Sequence, residues 1–344
     1  MVSILSWNIL APELMTYFWR SSYGLRTTGR SKQDYDKIQE RRIDKMIDYI
    51  INAEPNILCL QETTDTKHDY LGGKTVQEYI ADKLDFRIVS EATKQSPMGY
   101  GIPPEEQKRI MEMDSGVATM ILNDSENLVH MDTYMTSDTY GSSDVFKKGV
   151  GTPFTYDLFE YDGHSFGIVN LHAKMKYPNI LESLNEAYDR ICRETVDDEI
   201  MRNLIILGDM NAHGLRGAKD LFMSNLYTHA FDYQGSELID DHVFFGKDLL
   251  DWTIRVNYGK GLPLLKVGAN EPVTGKRWTK PKTRFCLNRE NNKLITSNKA
   301  TSDHYPIDIY LEFRKGDRKE RAKGLRNMIS ESLHIIEPSK QFSL

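Results

Sequence analysis

The chain has 344 residues, enough for one large α/β domain or two ordinary ones. Its 40% hydrophobic and 27% charged content is ordinary for a soluble globular protein. A formal charge of −6 excludes a globally basic nucleic-acid binder, so any basic surface must be local.

Val2 to Leu5 is an apolar run that reads as a buried strand, and it ends at Ser6-Trp7-Asn8. Neither a basic region nor a long apolar stretch precedes it, so no signal peptide is expected. An insertion follows with Tyr17, Trp19, Tyr23 and Tyr35, and Arg41-Arg42 is read as opening a helix. In that helix Ile38, Ile43, Met46, Ile47, Ile50 and Ile51 recur at helical spacing, and Pro55 marks the exit. A second buried strand, Ile57 to Leu60, stops at Gln61-Glu62. Val76, Tyr79, Ile80 and Leu84 predict another helix, and Val117 to Leu122 another strand. Ala92 to Asp114, rich in Pro and Gly, and Met135 to Gly151, rich in Ser, Thr and Gly, read as surface loops.

Phe154 to Phe159 and Phe166 to Leu171 predict a hairpin around Asp162-Gly163. Ile180, Leu184, Ala187 and Ile191 predict a third helix. Leu204 to Leu207 is a third buried strand, and Leu221 to Leu226 is read as a short helix. His242 to Phe245 and the alternating Ile307 to Phe313 complete the strands. Residues 314–344 form a basic extension in which Ala322, Leu325, Ile329 and Leu333 fall on one helical face. Strands outnumber helices, which points to a mixed-sheet sandwich with helices outside. Cys59, Cys192 and Cys286 have no metal-ligand spacing and read as reduced thiols, which suits an intracellular protein, cytoplasmic or nuclear. No run approaches the length of a membrane span.

Five segments end in oxygen or nitrogen donors suited to phosphate chemistry. They are Ser6-Trp7-Asn8, Leu60-Gln61-Glu62, Asn170-Leu171-His172, Gly208-Asp209-Met210-Asn211 and Ser302-Asp303-His304. An apolar strand that stops at a carboxylate or amide delivers that group to one edge of a core. Several doing so can build one polar site on rigid supports. Cutting the chain in the middle would divide that site, so residues 1–313 are read as one domain.

In this order the segments resemble the endonuclease/exonuclease/phosphatase superfamily, which includes deoxyribonuclease I. The long aromatic first loop adds a resemblance to nocturnin- and angel-type deadenylases. The resemblance implies a four-layer α/β sandwich, two mixed β-sheets flanked by helices. It also implies a metal-dependent hydrolase of phosphate esters.

Phosphodiester cleavage needs charge neutralisation on phosphate oxygens, an activated water and a stabilised leaving oxygen. Mg2+ (with Mn2+ as substitute) favours carboxylate oxygens and retains waters, so one or two acidic ligands suffice. Glu62 is the expected metal ligand, with Asn8 as direct or indirect partner. Asp209 and Asn211 stand two apart and share a side in extended backbone, so one can deprotonate water while the other donates to a phosphate oxygen. The resemblance gives His304 a phosphate contact, with Asp303 as ligand or charge partner, and has His172 hold the scissile phosphate. Asp241 matches a family aspartate with a supporting role. His213 either lines the site or caps a helix.

Between Arg255 and Lys299 eleven Lys or Arg residues face only two Glu, Glu271 and Glu290. Trp278 and Phe285 sit among them, the mixture expected where a backbone is gripped and bases stack. Arg277, Trp278, Lys280 and Arg284 are the expected substrate contacts. A nucleic acid substrate, single-stranded RNA or DNA, is favoured over a phosphoinositide, sphingolipid or phosphorylated metabolite. A non-catalytic binding module is the third reading. No feature calls for a protein partner, and the chain is read as a monomer.

Overall fold

Among the described residues six strands form one sheet and six more form a second. The computed structural model describes residues 1–10, 12, 32–95, 114–137, 153–173, 203–210, 226–230, 241–246, 252–258, 287–288, 293–294 and 306–313. In the first sheet the strands are β1 (Val2–Asn8), β2 (Ile57–Thr63), β3 (Phe86–Gln95), β4 (Asp114–Leu122), β11 (Trp252–Tyr258) and β14 (Ile307–Phe313). The second holds β5 (Leu128–Thr136), β6 (Phe154–Tyr161), β7 (His164–His172), β8 (Leu204–Asp209), β9 (Leu226–Ala230) and β10 (Asp241–Gly246). A two-stranded ribbon joins β12 (Leu287–Asn288) and β13 (Lys293–Leu294). Among the described residues the principal helices are α1 (Lys32–Ala53) and α2 (Val76–Leu84).

Both large sheets are mixed, with strand orders β11-β14-β1-β2-β4-β3 and β5-β6-β7-β8-β10-β9. Each has one parallel pair at its centre, β1 with β2 and β7 with β8, and its other pairs are antiparallel. A parallel pair needs a crossover, and α1 supplies it between β1 and β2. The result is that two neighbouring strands in each sheet end at the same edge.

Side-chain alternation sorts the core into two layers. Ile4 of β1, Ile57 and Cys59 of β2, Ile168 of β7, and Ile205 and Leu207 of β8 meet between the sheets. Leu5, Trp7, Leu58 and Leu60 point the other way, beneath Ile43, Met46, Ile47 and Ile50 of α1 and Ile80 of α2. Strands buried on both faces account for their uninterrupted apolar runs.

The second helix starts at a full capping box. The Thr75 hydroxyl accepts from the Glu78 amide and the Glu78 carboxylate from the Thr75 amide, which satisfies two otherwise orphan donors. Near the exit of α1, Glu54 takes a left-handed φ of 48° while its amide still donates to the Ile50 carbonyl, just before Pro55.

Several sequence expectations need correction. The helix α1 begins at Lys32, so Tyr35 lies inside it and Arg41-Arg42 fall near its middle rather than at its start. Ala92 to Gln95 belong to β3, and Met135 and Thr136 to β5, not to loops. Leu226 opens β9 rather than closing a helix. Arg255, placed at the start of the basic segment, sits in β11 opposite Tyr310. The predicted third helix over residues 180–191 and the extension 314–344 lie outside the described residues.

In β14 the alternation is as expected: Ile307, Ile309 and Leu311 are buried between the sheets. Asp308 faces the other way and its Oδ2 accepts from the Tyr49 hydroxyl of α1 at 2.9 Å. Burial pushes the Asp308 carboxyl up from 3.8 to about 6, against the lowering effect of the Tyr49 bond. Between those values the folded state binds more protons than the unfolded, so this group's contribution to stability rises as pH falls through 6. Above pH 6 its buried charge destabilises the fold. Asp308→Asn, which keeps the acceptor for Tyr49, is expected to stabilise the protein at pH 7 by about 2 kcal/mol. In urea titrations that advantage should shrink below pH 6 and vanish near pH 4.

Candidate metal centre

The inter-sheet layer changes character along the strands. Reading every second residue, β1 goes Ile4, Ser6, Asn8 and β2 goes Ile57, Cys59, Gln61. Similarly β7 goes Ile168, Asn170, His172 and β8 goes Ile205, Leu207, Asp209. Apolar side chains give way to polar ones toward the ends of both parallel pairs, so the polar ends of the two sheets face each other.

Glu62, His172 and Asp209 meet there, each offering a donor atom within 4.8 Å of the others. All are buried, Glu62 at 4% exposure, His172 at 9% and Asp209 at 1%. The Asn8 amide nitrogen donates to Glu62 Oε1 at 3.1 Å and to Asp209 Oδ2 at 2.8 Å. The His172 Nε2 lies 3.8 Å from that Glu62 oxygen and 3.6 Å from that Asp209 oxygen. Asp241 stands opposite Asp209 in the antiparallel β8–β10 pair and is itself buried.

Alternation alone would send Glu62 with Leu58 and Leu60 toward the helices. The backbone prevents this. Between Gln61 and Thr63 the β2–β4 register slips, and Glu62 is the extra residue, with φ of 56°. Such a bulge re-aims a side chain at the cost of a left-handed conformation that a glutamate rarely adopts. Across the bulge Gly116 makes room, because a Cβ there would lie 2.7 Å from the Ala92 carbonyl oxygen and 2.9 Å from the Thr63 hydroxyl.

Asn8 is held from behind. Its Oδ1 accepts from the Leu10 amide at 3.0 Å, leaving the NH2 to point at the carboxylates. Leu10 has φ of 49°, and the buried Arg42 fastens this turn by donating to the Ile9 carbonyl at 2.7 Å and the Leu10 carbonyl at 2.8 Å. Arg42 therefore supports the site from within the core, a role its placement at a helix start did not suggest. A basic residue inside an otherwise apolar helical face was the available signal.

Two buried carboxylates this close repel each other, and one amide cannot neutralise them. Glu62 Oε2 is buried and makes no hydrogen bond among the described residues. Hard carboxylate oxygens with an unused lone pair, beside an imidazole nitrogen, are a fitting donor set for a divalent cation. Of the sequence-predicted residues, Glu62, Asn8, His172 and Asp209 come together here. Asn211, Asp303, His304, Arg277, Trp278, Lys280, Arg284 and His213 lie outside the described residues.

No protein-family model matches the chain, and no curated protein does. Solved structures match over nearly its whole length. An endonuclease/exonuclease/phosphatase from Bacteroides vulgatus is 12% identical with a TM-score of 0.50, covering 91% of this chain and 99% of its own. A mannosyl-6-phosphatase from Bacteroides thetaiotaomicron is 13% identical, TM-score 0.50, over 91% and 100%. ANGEL2, a 2′,3′-cyclic phosphatase solved with adenosine-2′,3′-vanadate, is 12% identical, TM-score 0.50, over 91% and 95%. The chain thus has the deoxyribonuclease I-like fold of endonuclease/exonuclease/phosphatase structures, as its five segments implied. Within that fold it carries a buried acidic and histidine cluster at the ends of the central strands.

Proposed function

We propose that this chain is a divalent-metal-dependent phosphoesterase whose substrate is a nucleic acid, single-stranded RNA or DNA. The observation that carries the reading is the meeting of Glu62, His172 and Asp209 from opposite sheets around one Asn8 amide. Glu62 would hold the cation, Mg2+ or Mn2+, with Asp209 beside it. The bound ion would supply charge neutralisation at the phosphate and acidify a water.

The chain's own groups carry the remaining steps. Asp209, oriented by the Asn8 amide, accepts the proton of the attacking water. His172, whose Nε2 lies beside both carboxylates, steadies a phosphate oxygen. Asn211, two residues past Asp209, and His304, three before β14, donate to the phosphate and the leaving oxygen, with Asp303 orienting His304. The burial of the cluster supports this assignment, since charge–charge interactions strengthen as water is excluded.

The basic and aromatic run containing Arg277, Trp278, Lys280 and Arg284 favours a polyanionic strand with stackable bases. A small phosphate ester is the second reading, favoured by the two neighbours named as phosphatases. A panel of oligo(A), mixed-sequence RNA, abasic duplex DNA, phosphoinositide and sugar phosphate, each with Mg2+ or EDTA, separates them. Cleavage of the single strands, abolished by EDTA, is the expected result. Neutralising Lys276, Arg277, Lys280, Lys282 and Arg284 together should raise KM for oligonucleotides at least tenfold and flatten its salt dependence. Turnover confined to the sugar phosphate would overturn the nucleic acid assignment. No turnover on any substrate would overturn the enzyme itself.

Among the described residues no helix is long and apolar enough to cross a membrane.

A further inference from the structure

The candidate metal centre is split between two sheets that share no backbone ladder. Asn8 and Glu62 ride on the first sheet, His172 and Asp209 on the second. Apolar packing between sheets sets their separation but has little direction, whereas hydrogen bonds do. Immediately behind the site, directional bonds appear.

Gln61 Nε2 donates across the gap to Asn170 Oδ1 at 2.8 Å and within its own sheet to the Ser6 hydroxyl at 3.1 Å. Asn170 Nδ2 donates back across the gap to the carbonyls of Leu60 at 3.3 Å and Ala118 at 3.1 Å. Both amides are fully buried. Gln61 is the residue before Glu62, and Asn170 is two before His172 on the same face. The pair therefore ties the two halves of the site together one step behind the ligands.

We propose that Gln61 and Asn170 are positioning residues: their cross-sheet bonds set the gap over which Glu62 faces His172 and Asp209, and so set divalent-cation affinity. The inference rests on the metal reading above. Other buried polar links between the sheets exist, such as the Ser90 hydroxyl donating to Asp157 Oδ2 at 2.6 Å. That link joins β3 to β6 and touches none of the four strands that carry Asn8, Glu62, His172 and Asp209.

The test is calorimetric titration of the full chain with Mn2+. Gln61→Leu/Asn170→Leu replaces both partners with apolar groups, so neither buried amide is left unmatched. It is expected to bind Mn2+ at least about tenfold more weakly than wild type, the range seen when groups supporting metal ligands are lost. Gln61→Met, which removes only the glutamine's bonds, should weaken binding in the same direction and serves if the double variant does not fold. Ser90→Ala should bind like wild type despite losing a cross-sheet bond. Wild-type affinity in both Gln61 variants would overturn the proposal, as would equal weakening in Ser90→Ala. A wild-type protein that takes up no Mn2+ would instead overturn the metal reading and this inference with it.

Discussion

Glu62→Gln is expected to lower kcat/KM on the preferred phosphate ester by about a thousandfold or more while leaving the fold intact. The size follows from what a carboxylate does for a bound cation and hence for charge on the phosphate, a matter of several kcal/mol in a dry site. Glutamine preserves the shape and the acceptor for Asn8, so the loss is of charge alone. The same substitution makes a second, opposite forecast. In EDTA the variant should melt higher than wild type, because one of two crowded buried carboxylates has become neutral. Added Mg2+ should raise the wild-type Tm and barely move the variant's, since ligand binding to the folded state stabilises by mass action. A metal-independent Tm in wild type, with activity retained in Glu62→Gln, would remove the foundation of the reading.

Gly208→Ala carries the largest expected loss of stability, about 4 kcal/mol or more. Gly208 has φ of 129°, which L side chains rarely adopt, and a Cβ there would sit 2.0 Å from the Leu171 carbonyl oxygen. That oxygen is main chain in the adjoining strand, so relief requires β7 and β8 to separate. Gly163, in the hairpin turn with φ of 77° and nothing within 4 Å of its Cβ position, is the matched comparison. Gly163→Ala should cost only about 1 kcal/mol, the conformational term without the collision. Urea unfolding of the pair distinguishes the two contributions. Whatever Gly208→Ala protein folds should also be inactive, because the forced shift lies one residue before Asp209. Near-equal unfolding midpoints for the two variants would show that the collision is absorbed elsewhere.

The parts of the fold legible in the sequence were those with one dominant physical signal. Val2 to Leu5, Ile57 to Leu60 and Leu204 to Leu207 are buried on both faces, so their apolar runs announce strands without reference to neighbours. Strand β5 carries no clear strand signal because most of its residues are at least partly exposed, as suits the edge of its sheet. Strand β3 gives little local signal for a similar reason, and its last four residues fall in the span that reads as a loop: Thr93, Lys94 and Gln95 hold strand structure through pairing with β4, not through composition. The site was legible as a set of strand-end donors, and Glu62, His172, Asp209 and Asn8 do converge. The orientation of Glu62 was not legible, since it depends on a bulge and a left-handed φ that no local pattern encodes. Likewise Gln61 and Asn170 stood inside the quoted segments, yet their bond spans 109 positions of chain.

The first and last strands of the sheet that bears Glu62 lie side by side, with Val2 opposite Leu311 and Ser6 opposite Ile307. During synthesis β1 emerges first and must wait for some three hundred further residues before this neighbour exists. Until then one flank of a strand that ends almost wholly buried has no partner, and such flanks invite pairing with other chains. Nascent chains stalled before residue 307 should accordingly bind holdase chaperones and aggregate, and release of the final strand is the event that completes the sheet.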